Sequence, residues 1–224
     1  MTGAWPGGSR VLPLGVVVGL AAEARIARGL GDIEIGGGMP AGAEAAAERL
    51  VARGATALLS FGLAGGLDPA LRPGDLVVPV AVLHRGRRYV TDEMLTRGLG
   101  GATAGTLYAG ADVVAKAEAK TRLSRATGAS AVDLESGAVA AVAERHGLPF
   151  AVVRAVCDPA TRDLPRAALL ALDARGAIKG VRVAAALARR PWEIGGLLRL
   201  AVDAARARAS LARAAHQLRL RLGV

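Results

Sequence analysis

Short apolar runs rich in β-branched residues alternate with helix-like segments along most of this chain of 224 residues. A run such as residues 12–19 is typical of a strand buried on both faces, and a helical pattern follows it directly. Strands and helices that alternate at this spacing form a mostly parallel sheet with helices on its faces. The sequence therefore predicts a single three-layer α/β domain with a mostly parallel, mixed central sheet. The predicted strands are residues 12–19, 32–35, 56–61, 76–83, 105–109, 129–134 and 150–156, and the predicted helices are residues 21–30, 40–53, 112–124 and 135–146.

The sequence predicts three parts. Residues 1–10 are expected to be a loose tail, residues 11–190 the domain, and residues 191–224 a basic amphipathic helix after a break at Pro191. The apolar run after Arg10 is interpreted as the first strand and not as part of a signal peptide, because it is β-branched and a helical pattern follows it without a break. The longest uncharged runs have 14 residues, fewer than the roughly 18 that a membrane-spanning helix needs. A single cysteine, Cys157, fits a reducing cytoplasm.

Positive charge is concentrated in the last quarter of the chain. Residues 162–224 contain thirteen Lys and Arg against four Asp and Glu, whereas residues 1–161 contain sixteen against fifteen. The C-terminal helix has an apolar stripe of Leu197, Ala204, Leu211 and Leu218, and a basic face of Arg199, Arg206 and Arg213. Two hypotheses fit this pattern: the stripe packs on the domain, or residues 191–222 lie on an anionic membrane. Specific nucleic-acid binding is disfavoured, because no aromatic residue lies among these arginines.

Three acidic residues come shortly after predicted strands. Glu23 follows the first strand, Glu135 follows the run AVDL, and Asp158 follows the run AVVRAVC. Ligands of open α/β sheets bind outside the carboxyl ends of the strands, so these carboxylates could meet in one pocket. Taken singly, Glu135 also suits a helix N-terminus and Asp158 suits a turn before Pro159. No histidine has the spacing of a metal ligand, and we expect neither a metal nor a redox cofactor.

Two glycine-rich segments could approach a ligand closely. In SFGLAGGLDPALRPGDLVVP, the small residues after the third strand leave the backbone accessible, which makes Leu63, Ala64 and Gly65 candidates for a ligand loop. The second segment, residues 36–38, is three glycines before a helix and is a weaker indication of an anion site.

Three segments in order carry a resemblance to a known family: GVVVGLAAEARIA, the first glycine-rich segment, and AVDLESGAVAAVAERHGLPFAVVRAVCD. Over about residues 12–188 the chain resembles the nucleoside phosphorylase/nucleosidase superfamily, and in particular the methylthioadenosine/S-adenosylhomocysteine nucleosidases. The short chain, the basic segment RGRRY and the basic tail from PWEIGGLLRLA are most similar to the hopanoid-associated phosphorylases, which remove adenine from adenosylhopane. The resemblance implies a homodimer that acts on a nucleoside without a cofactor.

The resemblance also implies a catalytic pair. Glu23 stands at the position of the acid that orients and deprotonates the attacking water. Asp158 stands at the position of the aspartate that gives a proton to N7 of the purine. Breaking an N-glycosidic bond builds positive charge on the ribose and negative charge on the base, and acid–base groups on both sides stabilise these charges.

The binding residues follow from the same resemblance. Glu135 and Leu134 match ribose-binding positions. Val113 and Val114 match positions that flank the adenine, where the family often has a phenylalanine. Leu63 replaces a residue that carries a hydroxyl group in the family, and this predicts a more apolar mouth that suits an apolar 5′ substituent.

The acceptor of the ribosyl group is left open between water and phosphate. A carboxylate at Glu23 would repel a phosphate dianion, which favours hydrolysis. Arg85, Arg87 and Arg88 could instead hold phosphate as a co-substrate, although they also suit the solvated tip of a hairpin. We therefore expect a cytoplasmic enzyme that cleaves an adenine nucleoside, with adenosylhopane as the expected substrate. The alternatives are a soluble methylthioadenosine/S-adenosylhomocysteine nucleosidase, a phosphate-dependent phosphorylase, and a catalytically silent nucleoside-binding protein.

Overall fold

The computed structural model describes residues 13–171 and 190–222. Within these residues the chain forms nine strands, seven α-helices and one 3₁₀ turn, Pro191–Glu193. The strands are β1 (Leu14–Val18), β2 (Asp32–Ile35), β3 (Ala57–Gly66), β4 (Leu76–Val77), β5 (Pro79–His84), β6 (Arg87–Val90), β7 (Ala104–Ala109), β8 (Ala131–Asp133) and β9 (Phe150–Asp158). The helices are α1 (Ala21–Ala27), α2 (Pro40–Ala52), α3 (Glu93–Gly98), α4 (Ala117–Thr127), α5 (Ser136–Arg145), α6 (Arg166–Ala171) and α7 (Ile194–Leu222).

The strands form one mixed sheet. Its main path is β2-β1-β3-β8-β7-β5-β6, and β9 pairs with both β3 and β4. β1 runs parallel to β2 and β3, and β9 runs parallel to β3, so the carboxyl ends of β1, β3 and β9 meet at one edge. β8 is antiparallel to β3 and parallel to β7. The predicted fold class, a single α/β domain with a mixed central sheet between helices, is confirmed.

Two apolar clusters cover the two faces of the sheet. Successive strand residues point to opposite faces, so Val17 and Leu58 belong to a cluster with α2 and α5, whereas Val16 and Leu59 belong to a cluster with α1 and α7. The sheet therefore lies between two helical layers. Burial of these apolar side chains is the main force that holds the layers together.

The C-terminal helix is part of this core. Leu211 and Leu218 of the predicted apolar stripe are buried with Ala207 and Ala215, whereas the three arginines of the predicted basic face are exposed. The first hypothesis for this helix, packing on the domain, therefore describes its second half. No helix among the described residues is long and apolar enough to cross a membrane.

Two other arginines of α7 bind the ends of neighbouring helices. Arg219 donates to the backbone oxygen of Arg28 at 2.6 Å, just after α1, and Arg221 donates to that of Gly98 at 2.9 Å, at the end of α3. Carbonyl groups at a helix C-terminus lack partners within the helix and carry partial negative charge. Part of the basic excess of the chain therefore has a structural role.

Several predicted boundaries are wrong. β3 continues to Gly66, five residues beyond its predicted end, because the glycine-rich segment stays paired with β9 across a bulge between Ala64 and Gly65. Predicted strand 76–83 is two strands, since β4 pairs with β9 whereas β5 pairs with β6 and β7. α4 begins at Ala117 and not at 112. The predicted tail, residues 1–10, lies outside the described residues.

Candidate active site

One open cavity of about 580 Å³ lies at the edge where β1, β3 and β9 end. It gathers nine of the predicted site residues, and the segment before α4 contributes two of these. The nine residues are Glu23, Leu63, Ala64, Gly65, Val113, Val114, Leu134, Glu135 and Asp158. The strand before Glu135 differs from the prediction that the site lies at the carboxyl ends of parallel strands. Glu135 follows β8, which runs antiparallel to β3.

Glu23 is buried at the start of α1 and fixed by the backbone. Its Oε2 accepts hydrogen bonds from the N–H groups of Gly19 and Leu20, both at 2.9 Å, and its Oε1 accepts one from Leu63 at 3.0 Å. Burial raises the pKa of Glu23, although Arg154 and these three N–H groups act to lower it. An ionised carboxylate has about four acceptor positions, so one position is left for a further donor from the cavity.

Glu135 is buried on the adjacent wall of the cavity. Its Oε1 accepts a hydrogen bond at 3.1 Å from the N–H of Gly38, a residue with a positive φ of 74° in the predicted glycine turn. Burial raises the pKa of Glu135 to about 7; Arg154 opposes this rise, and the charges of Glu23 and Asp133 add to it. Glu135 can therefore take up or release a proton near neutral pH.

Arg154 joins the carboxylates, and sequence reasoning missed it. It is buried on β9, with Nη2 at 2.5 Å from Oδ2 of Asp133 and Nη1 at 3.6 Å from Oε2 of Glu135. Nη2 also donates to the hydroxyl groups of Ser60 and Ser136, at 2.6 and 3.1 Å. The sequence did contain an indication of this role, because Arg154 is the one charged residue in the apolar run AVVRAV. An arginine buried in such a strand needs an acidic partner.

Gly62 of β3 leaves the space in which this arginine and Glu23 meet. A Cβ atom at Gly62 would lie 2.5 Å from Nη1 of Arg154 and 2.9 Å from Oε1 of Glu23. A side chain at this position would therefore clash with both buried groups. The absence of a side chain at Gly62 lets Arg154 and Glu23 lie against the backbone of β3.

Asp158 ends β9 and forms an ion pair with Lys120, the one buried residue of α4. Sequence reasoning missed Lys120 because it lies in a polar helix with several other charges. The Sγ of Cys157 lies 3.4 Å from Oδ1 of Asp158, and burial raises the pKa of this thiol well above its usual value. Because the thiolate is the reactive form of cysteine, this environment disfavours Cys157 as a nucleophile.

Most of the other side chains that line the cavity are apolar. They are Met39 before α2, Leu164 before α6, Ala168 and Leu169 of α6, and Leu200 of α7. Leu63 adds an apolar side chain beside Glu23, whose carboxylate accepts a hydrogen bond from the N–H of Leu63. The cavity therefore combines buried carboxylates with an apolar lining.

Arg85, Arg87 and Arg88 do not reach the cavity of this chain. They lie exposed at the hairpin between β5 and β6, and Arg87 donates to Glu144 at 3.0 Å. None of the three arginines is among the residues that line the cavity. The structure therefore places them at an exposed hairpin tip of this chain and does not bring them together with the other predicted site residues.

Residues 33–100 and 101–190 match the sequence model of the phosphorylase superfamily, and together they make up more than half of the chain. No curated protein matches the chain in sequence.

Solved structures of similar fold include 5′-methylthioadenosine/S-adenosylhomocysteine nucleosidases and a futalosine hydrolase. The 5′-methylthioadenosine/S-adenosylhomocysteine nucleosidase of Helicobacter pylori, in complex with a pyrrolidine that carries a prop-2-yn-1-ylthiomethyl group, is 17% identical, with a TM-score of 0.64 over 92% of this chain and 98% of that chain. The Neisseria meningitidis nucleosidase, in complex with methylthio-immucillin-A, is 18% identical, with a TM-score of 0.63 over 90% and 97%. The futalosine hydrolase of H. pylori is 18% identical, with a TM-score of 0.58 over 65% and 87%. These structures share the fold, and the sequence match shows that the chain belongs to the phosphorylase superfamily and is an enzyme of it.

Proposed function

We propose that this enzyme hydrolyses the N-glycosidic bond of an adenine nucleoside with a large apolar 5′ substituent, and that its substrate is adenosylhopane. The observation that carries the proposal is that one cavity holds Glu23, Glu135 and Asp158 together with apolar side chains of α6 and α7. A nucleoside with an apolar group at C5′ offers a matching combination of polar and apolar groups. The ligands of the two nucleosidase structures support this, because each has a small apolar group in a thioether.

In the proposed reaction the carboxyl groups of Glu23, Glu135 and Asp158 stabilise the charges that develop as the bond breaks. Asp158 gives a proton to N7 of the departing base, and the free acceptor position of Glu23 takes a proton from the attacking water. Glu135 accepts hydrogen bonds from the ribose hydroxyl groups. Leu134 packs on the sugar, and Val113 and Val114 flank the base.

The charges around the cavity favour water over phosphate as the acceptor. Among the described residues that line it, five are acidic and one is basic, and that one, Arg154, is already paired with Asp133. Two unit charges 4 Å apart repel each other by about 4 kcal/mol at an effective dielectric constant near 20. A phosphate dianion beside Glu23 would meet this repulsion with little compensation.

Adenine release tests the proposal. We expect the full chain to release adenine from adenosylhopane in phosphate-free buffer with free ribosyl product, measured by chromatography. Glu23→Gln is expected to lose this activity by a factor of about 10² or more, because an amide cannot take the proton of the water. Glu93→Gln, on the exposed surface of α3, is the matched control and should retain activity.

Three results would contradict the proposal, each in a different way. A preference for methylthioadenosine over adenosylhopane would identify a methylthioadenosine nucleosidase. Strict dependence on phosphate, with a ribosyl 1-phosphate product, would identify a phosphorylase. Nucleoside binding without any release of adenine would identify a silent binding protein.

We also propose that the 3₁₀ turn before α7 and the exposed first part of α7 contact an anionic membrane beside the cavity. Trp192 of that turn and Leu198 of α7 are exposed, with Arg199 nearby, and Leu200 lines the cavity. An arginine near an anionic surface contributes about 1 kcal/mol, and the attraction is screened by salt. The apolar face of the second half of α7 is packed on the domain and is not available to a membrane, so this contact involves fewer residues than 191–222. The homodimer implied by the family resemblance also remains a prediction.

Vesicle binding tests the membrane contact. We expect sedimentation with phosphatidylglycerol vesicles that weakens as salt rises, and a lower affinity for Leu198→Ser. Leu220→Ser is the matched control, since both leucines are 63% exposed but Leu220 lies at the other end of α7. Equal binding to neutral vesicles, or equal loss in both variants, would argue against this contact.

A further inference from the structure

Lys120 is a buried cation directly behind the proposed acid. Its side chain is fully buried, and it is the only buried residue of α4. The ammonium group donates to the carboxylate of Asp158 and to the backbone oxygens of Pro159 at 2.9 Å and Arg162 at 3.2 Å. All three of its N–H groups are therefore used, and none points into the cavity.

The position of Lys120 is costly for a purely structural residue. Removing a charged group from water costs several kcal/mol, and an apolar side chain of similar size often replaces a buried ion pair without loss of stability. An apolar residue could link α4 to β9 equally well. What only a lysine supplies here is a positive charge and a proton in contact with Asp158.

The ion pair also raises a chemical problem. An acid must carry a proton to give one away, but a carboxylate bound to an ammonium group carries none. The ion pair as a unit holds the one proton that the leaving base needs, and its ammonium–carboxylate geometry places that proton on Nζ of Lys120.

We propose that Lys120 is a positioning residue that stores this proton and passes it through Asp158, an inference that rests on the proposed function. The C1′–N9 bond breaks and its electron pair goes to the base. N7 takes a proton from Asp158, and Asp158 takes one from Nζ of Lys120, which becomes a neutral amine. The oxygen of water bonds to C1′ while its proton goes to Glu23. Glu23 then loses a proton to solvent and Lys120 gains one, which restores the site.

The other charged or titratable groups around the pair have partners elsewhere or lie farther away. Arg162 forms an ion pair with Asp203 of α7, and Lys116, one turn before Lys120, pairs with Asp163 in solvent. Cys157 keeps its proton, and Glu23 is held by backbone groups across the cavity. Among the described residues, Lys120 is the cation that contacts Asp158.

A pH profile distinguishes this role from a structural one. With Lys120 present, the proton stays available at pH values where a lone carboxyl group is ionised. In Lys120→Met, Asp158 has to hold its own proton, so the ratio of variant to wild-type kcat should fall by up to tenfold per pH unit as pH rises above the pKa of the carboxyl group. At pH 8 we expect a loss of about 10²-fold in kcat, with KM changed by less than about threefold.

Lys116→Met is the matched control, because it removes an exposed lysine from the same helix and should leave the profile unchanged. A ratio of variant to wild type that does not change with pH would overturn the inference, since a packing defect has no such dependence. If wild type itself releases no adenine from a nucleoside, the proposed function fails instead.

A double variant keeps the test valid if Lys120→Met does not fold. Lys120→Met with Asp158→Asn removes both charges and leaves no unpaired buried ion. If Lys120 acts only through Asp158, this double variant has the same kcat as Asp158→Asn alone. A further loss of tenfold or more in the double variant would show a separate role and overturn the inference.

Discussion

Replacing Arg154 by Met should lower the free energy of unfolding by about 3–5 kcal/mol, the range found when one partner of a buried ion pair is removed. The substitution leaves the carboxylates of Asp133, Glu135 and Glu23 close together without a compensating cation. It also removes the donors to Ser60 and Ser136. Urea unfolding at pH 8 measures the loss, and any protein that stays folded should have no detectable adenine release.

Arg145→Met is the control for this result. Arg145 also binds two carboxylates, Glu44 and Glu48, but on the surface of α5, where such contacts contribute less than about 1 kcal/mol. The destabilisation of Arg154→Met should shrink at acid pH, because burial raises the pKa of Glu23 and of Glu135, so these two carboxylates then take up protons and need no cation. A loss of similar size at pH 5 and pH 8 would show that the arginine stabilises the core by packing alone.

Replacing Asp158 by Asn should lower kcat for adenine release by about 10²- to 10⁴-fold, the usual contribution of a general acid. The amide keeps the shape of the side chain but gives no proton to a departing base. KM should change little, since the substitution leaves the apolar lining of the cavity and Glu135 unaltered. Initial rates over a range of substrate concentrations separate the two quantities.

Asp158→Asn also removes the counter-ion of a buried lysine, so its stability has to be measured beside its activity. Asp163→Asn is the matched control, because Asp163 pairs with Lys116 in solvent five residues further along the chain. We expect that control to retain full activity. An Asp158→Asn enzyme with turnover near that of wild type would remove Asp158 from the mechanism.

Sequence predicted the sheet, the helices on its faces and the position of Glu23, because these follow from local patterns and from the common edge of parallel strands. Arg154 and Lys120 were missed for a shared reason. Their partners, Asp133 and Asp158, are distant in sequence, and only the packing of β8, β9 and α4 reveals the ion pairs. The arginines of the β5–β6 hairpin differ, because their local sequence suggested a phosphate site but they do not line the cavity of this chain.

The shared guanidinium group of Arg154 has a consequence for what the cavity recognises. Three carboxylates and one arginine share this part of the cavity, and the charges of Glu23 and Asp133 contribute to the raised pKa of Glu135. In the proposed reaction a neutral nucleoside does not relieve this repulsion, whereas a ribose ring that becomes positively charged does. On that proposal the cavity is complementary to a charge that exists only while the bond is breaking, so the unfavourable electrostatics of the resting protein become selective stabilisation of the transition state.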